Sequence, residues 1–181
     1  MTDSASRYTG TAIALHWLIA ALIVFGFCVG LWMTQLEMSP QKFRWYAYHK
    51  WIGITVFLLA VYRLAWRLRH SPPPDVAMPA WQQRAAHAAH WLLYVLILVI
   101  PISGWIYSSS TGVSVIYLGL VQLPDLVGKD KALAVFLRLI HIGLNYTMAG
   151  LVIVHTGAAL RHQFVDRDGL LARMVPFLDR S

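Results

Sequence analysis

The sequence predicts an all-α membrane protein, a bundle of four transmembrane helices, and three observations predict it. Charged residues make up only 13% of the 181 residues, against about 25% in an ordinary soluble domain. Uncharged apolar runs recur along the chain, and about 20 such residues at 1.5 Å rise each cross the hydrocarbon layer. Lys and Arg gather at the ends of those runs, so the formal net charge of +7 reads as membrane flanking and not as a nucleic-acid surface.

The first span, roughly 12–34, covers Thr11–Met33, 23 residues without a charge. It exceeds the 7–15-residue core of a signal peptide and no A-x-A-like cleavage site follows Met33, so it is read as retained. Its Cys28 is the one cysteine of the chain, has no intramolecular disulfide partner, and reads as a small buried apolar residue. The second span, roughly 47–68, is the weakest in hydropathy because His49, Lys50 and Arg63 lie in it. It closes in the basic cluster RLAWRLRH, after which His70-Ser-Pro-Pro-Pro-Asp forms a stiff extended linker. Met78–Arg84 reads as an interfacial approach to the third span, roughly 87–109, within the uncharged stretch His90–Gly119. Val113–Val127 is apolar but short and interrupted by Pro124; it is expected on the outer surface or folded back as a lid. The fourth span, roughly 135–161, contains the 22 uncharged residues Leu139–Leu160. No internal repeat appears, and residues 1–181 read as one membrane domain.

Orientation follows from the flanking cations. Arg7, the connection from span two to span three (Arg63, Arg67, Arg69, Arg84) and the tail (Arg161, Arg167, Arg173, Arg180) carry nine; the other side carries six, Lys42, Arg44, Lys50, Lys129, Lys131 and Arg138. The positive-inside rule then places both termini in the cytoplasm.

With that topology each histidine acquires a depth. His16, His87, His90 and His155 lie toward the inner face, His49 and His141 toward the outer, His162 at the inner boundary and His70 in the linker. His141 and His155 are fourteen residues apart, close to four helical turns, so they leave one face of span four about 21 Å apart along its axis. At the outer depth His141 has a possible partner in His49. At the inner depth His155 has one in His16, although His87 or His90 could take that place. Facing imidazoles across a bundle interior are what a bis-histidine haem iron requires. Zinc would instead draw three or four ligands into one site, and two depths split the histidines into pairs.

The surroundings suit planar macrocycles. Gly30 follows His16 by fourteen residues, Gly104 follows His90 by fourteen, Gly53 lies one turn from His49, and Gly150 lies between the two histidines of span four. Each removes side-chain bulk, for a wide group or for close helix packing. Arg63, fourteen after His49, sets a cation at inner depth, to pair with a haem propionate or to snorkel to the headgroups.

The stretches RYTGTAIALHW, YHKWIGI, RLAWRLRHSPPP, AAHAAHWLLYVLILVIPISGW, VHTGAALRH and VDRDGLLARMVP resemble the prokaryotic cytochrome b561 family, and the likeness spans nearly the whole chain. The resemblance implies a four-helix cytochrome of the bacterial inner membrane with two b haems. By that likeness His16 and His155 ligate the iron of the inner haem and His49 and His141 that of the outer one, leaving His87, His90 and His162 as non-ligands. One characterised activity of the family is superoxide oxidation with ubiquinone as acceptor; other members are quinone-linked electron carriers. Two function classes follow. One is an enzyme in which Lys42, Arg44, Lys50 and Arg138 steer superoxide to the outer face. The other is a relay that exchanges quinol electrons with a separate redox protein. In both, a quinone headgroup is expected near the inner haem, with Trp81 stacking on it and His87 and His162 supplying hydrogen bonds or protons. A transporter with histidine relays would call for an inverted repeat or broken helices, and neither is seen.

Overall fold

In the computed structural model, which describes residues 7–175 and 177–178, four helices α1 (Gly10–Gln35), α2 (Pro40–Arg69), α3 (Ala80–Thr111) and α4 (Lys131–Arg161) run up and down as one bundle. Each is long and apolar enough to cross a membrane. Arg180 of the tail and Pro176 of the final motif lie outside the described residues. α1 packs on α2, α2 on α3, and α3 on α4. The buried core is small: Leu15, Ile19, Val29 and Met33 of α1 meet Ile54, Val56 and Ala60 of α2, with Leu96 and Met148 contributed by the other two helices. Large apolar side chains such as Phe25, Leu58 and Ile153 point outward, the last 72% exposed. Water would drive such a surface to aggregate, whereas lipid solvates it and the helices satisfy their own backbone.

All four helices outrun the spans read from the sequence, because hydropathy registers the hydrocarbon layer while capping residues set where a helix begins. α2 starts seven residues early, at Pro40, where Ser39 accepts from the Lys42 amide at 3.3 Å and the proline occupies the first turn. α4 starts at Lys131 because the Asp130 carboxylate accepts from the amides of Ala132 and Leu133 at 2.8 and 3.0 Å. Much of the expected interfacial approach at 78–84 is the first turn of α3. Cys28 is exposed on the outside of the bundle and not buried; an apolar thiol suits a lipid-facing surface as well as a core.

The two ends of the bundle differ. At the hairpin end, residues 113–127 fold back over α2 and α3 as a short antiparallel hairpin, β1 (Ile116–Tyr117) with β2 (Val121–Gln122), in the register Ile116 to Gln122 and Tyr117 to Val121. Leu118 and Gly119 turn it with φ of 54° and 73°, left-handed values that a glycine adopts freely and a leucine does not. Val115 is buried beneath it, 2% exposed. Helix side chains fasten it. The Trp51 indole donates to the Ile116 carbonyl at 2.7 Å, the Trp105 indole to Pro124 at 3.1 Å, the Lys50 ammonium to Val113 at 3.4 Å, and the Ser108 hydroxyl to Val113 at 2.5 Å. Thr55 gives its one hydroxyl hydrogen to the Trp51 carbonyl, so Tyr117 donates to Thr55 at 3.0 Å. Of the two placements expected for this segment, the folded-back lid is the one observed.

At the termini end, α4 continues into one π-helical turn, His162–Asp166, and then a 3-10 turn, Leu171–Arg173. The Trp17 indole donates to the Met174 carbonyl at 2.9 Å and Arg173 to that of Pro74, tying the C-terminal segment to α1 and to the linker.

Candidate functional site

Two facing pairs of imidazoles occupy the bundle. At the hairpin end, His49 of α2 and His141 of α4 have ring centroids 6.2 Å apart with planes at 89°. At the termini end, His16 of α1 and His155 of α4 stand 6.3 Å apart at 66°. A metal bridging two imidazoles sits about 2 Å from each nitrogen, which puts the two ring centroids roughly 6.3 Å apart. Both separations fit.

His155 has a second neighbour. The His90 ring of α3 meets it edge-on at 5.3 Å and 71°, about 1 Å short of the bridged separation. His90 packs edge-on against His155. His87, one turn earlier on α3, points away, and its Nε2 pairs with Asp75 of the linker at 3.0 Å.

The hairpin-end rings are held from behind. His49 Nδ1 lies 3.0 Å from the Gly26 carbonyl of α1. A carbonyl only accepts, so Nδ1 carries the hydrogen and Nε2 keeps its lone pair, the state a metal ligand needs. His141 Nδ1 lies 2.8 Å from the Ser103 hydroxyl of α3. Glycines make room beside each ring: a Cβ on Gly30 would come within 3.1 Å of His49 Cε1, and one on Gly104 within 3.0 Å of His141 Cε1. The space these two glycines clear is taken by the imidazoles themselves, whereas Gly53 and Gly150 have no atom within 4 Å of an added Cβ.

The other candidate residues are dispersed. Arg63 donates to the Ala12 carbonyl of α1 at 2.5 Å. Lys42 donates to the Leu36 carbonyl at 2.6 Å and Lys50 to the hairpin, while Arg44 and Arg138 are exposed. Of Trp81, His87 and His162, only His162 lines a pocket of ≈ 370 Å³, shared with Ala77, Met78, Pro79, Gln82, Arg161, Asp166 and Asp168. There His162 Nδ1 lies 2.5 Å from Asp168 and 3.5 Å from Asp166. Trp81 is 67% exposed. In the linker, the Gln83 amide, helped by His87, holds the Asp75 carboxyl below the usual carboxylate range. Sequence reading missed Asp75, Asp166, Asp168, Ser103 and the Gly26 carbonyl. Only Ser103 and Gly26 had a signal to offer: each precedes or forms part of a small-residue step on a helix facing a histidine.

Comparison with known proteins matches the chain to the prokaryotic cytochrome b561 family over residues 7–177. It is 35% identical to "Cytochrome b561 homolog 2" of Escherichia coli (strain K12), covering 96% of this chain and 94% of that protein. It is 29% identical to "Probable superoxide oxidase CybB" of Yersinia pestis, covering 94% and 96%. "Cytochrome b561 homolog 1" of Escherichia coli (strain K12) is also 29% identical, covering 94% and 98%.

Proposed function

This chain belongs to the prokaryotic cytochrome b561 family, membrane electron-transfer proteins whose membership implies haem b, and from that premise we propose a two-haem oxidoreductase that moves electrons from superoxide to ubiquinone. The observation that carries the reading is the pair of facing imidazole couples at 6.2 and 6.3 Å. His16 and His155 hold one b haem and His49 and His141 the other, with Arg63 close enough to His16 to face a propionate. When bound, the two groups supply one-electron redox centres at two depths. The termini lie in the cytoplasm, so that the hairpin end faces outward; a C-terminal reporter is expected to be active only inside, and activity only outside would exchange the two faces.

The overall reaction balances without a further reagent. Two superoxide ions each lose one electron and leave as dioxygen, and ubiquinone takes two electrons and two protons. The name carried by the Yersinia relative supports this substrate. Superoxide is a small anion that needs a cationic approach more than a shaped pocket. Arg44 and Arg138, exposed beside the hairpin end, supply that approach, with Lys42 and Lys50 behind them on backbone carbonyls. Oxidised protein mixed with a superoxide pulse is expected to show rapid haem reduction that added ubiquinone reverses. The rate should fall roughly tenfold or more between about 0.01 and 1 M salt, as the screening length shrinks from about 30 to about 3 Å. Slow, salt-insensitive reduction would remove superoxide as the substrate and leave a quinol-linked relay serving a separate redox protein.

The quinone headgroup occupies the pocket at the termini end, where His162 Nδ1 lies 2.5 Å from Asp168 and the imidazole can pass a proton to a reduced oxygen. Trp81 and His87 lie on α3 with Gln82 of that pocket but do not line it. His162→Ala and Asp168→Asn are each expected to slow quinone reduction by about tenfold or more while both haems remain bound. Native kinetics in both variants would place the quinone elsewhere.

A further inference from the structure

We infer that Ser103 and Gly104 form a socket on α3 that fixes the tautomer and ring plane of His141, and that the Ser103 hydroxyl thereby tunes the reduction potential of the group His141 holds. The inference rests on the haem-ligand reading above. It adds a positioning residue from a helix that contributes no ligand to that site.

A serine hydroxyl has one hydrogen to give. Ser103 gives it to the Ile100 carbonyl of its own helix, 2.7 Å away. Toward His141 Nδ1, at 2.8 Å, the hydroxyl oxygen can then only accept. Nδ1 is therefore the protonated nitrogen, and Nε2 keeps its lone pair. Were the serine proton turned toward His141, Nε2 would carry the hydrogen and could bind no metal. A carbonyl one turn back along α3 thus settles a tautomer on α4. Ser103 is only 6% exposed, so bulk water does not compete for the bond.

Gly104 supplies the rest of the socket. An added Cβ there would stand 3.0 Å from His141 Cε1 and 3.4 Å from Nδ1, so the ring rests against bare backbone. Hydrogen bond and contact together leave the imidazole little freedom to rotate. On the opposite side of the site α1 offers the same two elements to His49, the Gly26 carbonyl at 3.0 Å and the bare backbone of Gly30. The Ile100 carbonyl of α3 also lies within hydrogen-bond reach of the His141 ring, so each socket holds a main-chain carbonyl, and the His141 socket adds the Ser103 hydroxyl. A carbonyl belongs to the main chain and no substitution removes it, whereas the hydroxyl belongs to a side chain. An acceptor on Nδ1–H makes the ligand more basic and favours the more oxidised metal. Ser103 is consequently the point at which sequence can adjust this site without touching a ligand.

Redox titration of the purified holoprotein, followed by visible absorbance, tests the inference. Ser103→Ala is expected to raise one of the two midpoint potentials and leave the other unmoved. Ser103→Thr, which keeps the hydroxyl, should stay at the native value, and Ser103→Cys, a weaker acceptor of similar size, should fall between. Unchanged potentials in Ser103→Ala would overturn the inference, as would equal shifts in the alanine and threonine variants, which would report packing alone. If the alanine variant loses a haem, the position of the cysteine variant decides the same question. His141→Ala separates this from the ligand assignment. Two haems retained there would defeat the assignment itself, while one haem lost beside an unshifted Ser103→Ala would defeat only the socket.

Discussion

His49→Ala is expected to yield a protein that carries one haem instead of two, with the absorbance of the remaining centre unchanged. The two imidazole pairs share α4 and differ in the second helix, with His49 of α2 facing His141 at the hairpin end and His16 of α1 facing His155 at the termini end. They are separated by about four helical turns, roughly 21 Å. Alanine at His49 removes a proposed haem ligand and leaves the Gly26 carbonyl to the packing of α1, and nothing in that change reaches the second pair. A pyridine haemochrome assay per mole of protein reads the outcome directly. Two haems retained in His49→Ala would show that the facing pair is not the ligand pair. His87→Ala makes the control, since His87 pairs with an exposed carboxylate of the linker, and it should keep both haems.

Gly104→Ala comes next in size. Its new methyl would stand 3.0 Å from His141 Cε1, closer than packed carbon atoms tolerate. A retreating ring stretches the bond that its adjacent Nδ1 makes to Ser103. Overpacking of this kind costs about 1–3 kcal/mol, and here the strain falls on a ligand. The expected result is weakened retention of the hairpin-end haem, seen as substoichiometric haem after purification and an altered low-spin spectrum. Gly30→Ala should act in the same way on His49, where the added methyl would lie 3.1 Å from Cε1. Gly10→Ala, with no atom within 4 Å of the new methyl, should be silent. Native stoichiometry and spectrum in Gly104→Ala would show that the ring moves freely and that no socket restrains it.

What could be read from the sequence divides along physical lines. Membrane crossing is announced by average hydropathy, and the four spans were legible for that reason. The facing of His141 and His155 is announced by helical period, since fourteen residues return a side chain nearly to its starting face. Helix ends were less legible. Thr9, Ser39 and Asp130 cap α1, α2 and α4 in polar surroundings that a hydropathy window averages away. The hairpin was hidden because Leu118-Gly119 lacks the usual asparagine or aspartate turn residue, and because its anchors are carbonyls, which no sequence pattern marks. The Ser103–His141 bond links positions 38 residues apart on different helices. No local periodicity relates them. The rings of His16 and His90 differ by about 1 Å in their separation from His155, a difference that depth along a helix cannot resolve.

The hairpin over α2 and α3 has a consequence for how such a protein can vary. Four of its fastenings end on three main-chain carbonyls, that of Val113 twice and those of Ile116 and Pro124 once each, while the side chains that grip them, Lys50, Trp51, Trp105 and Ser108, all sit on helices. Every residue type offers a carbonyl. Replacing Ile116 or Val113 leaves the acceptor where it was, so apart from buried Val115 and the Tyr117 hydroxyl on Thr55 the address of the hairpin is written on the helices. Leu120 and Val121, 84% and 55% exposed, can then be exchanged for other chemistry without unseating the segment. The molecule combines a fixed mounting with an interchangeable face, and a library randomised at residues 116, 118, 120 and 121 should retain its fold while the surface offered to a visitor at that end changes.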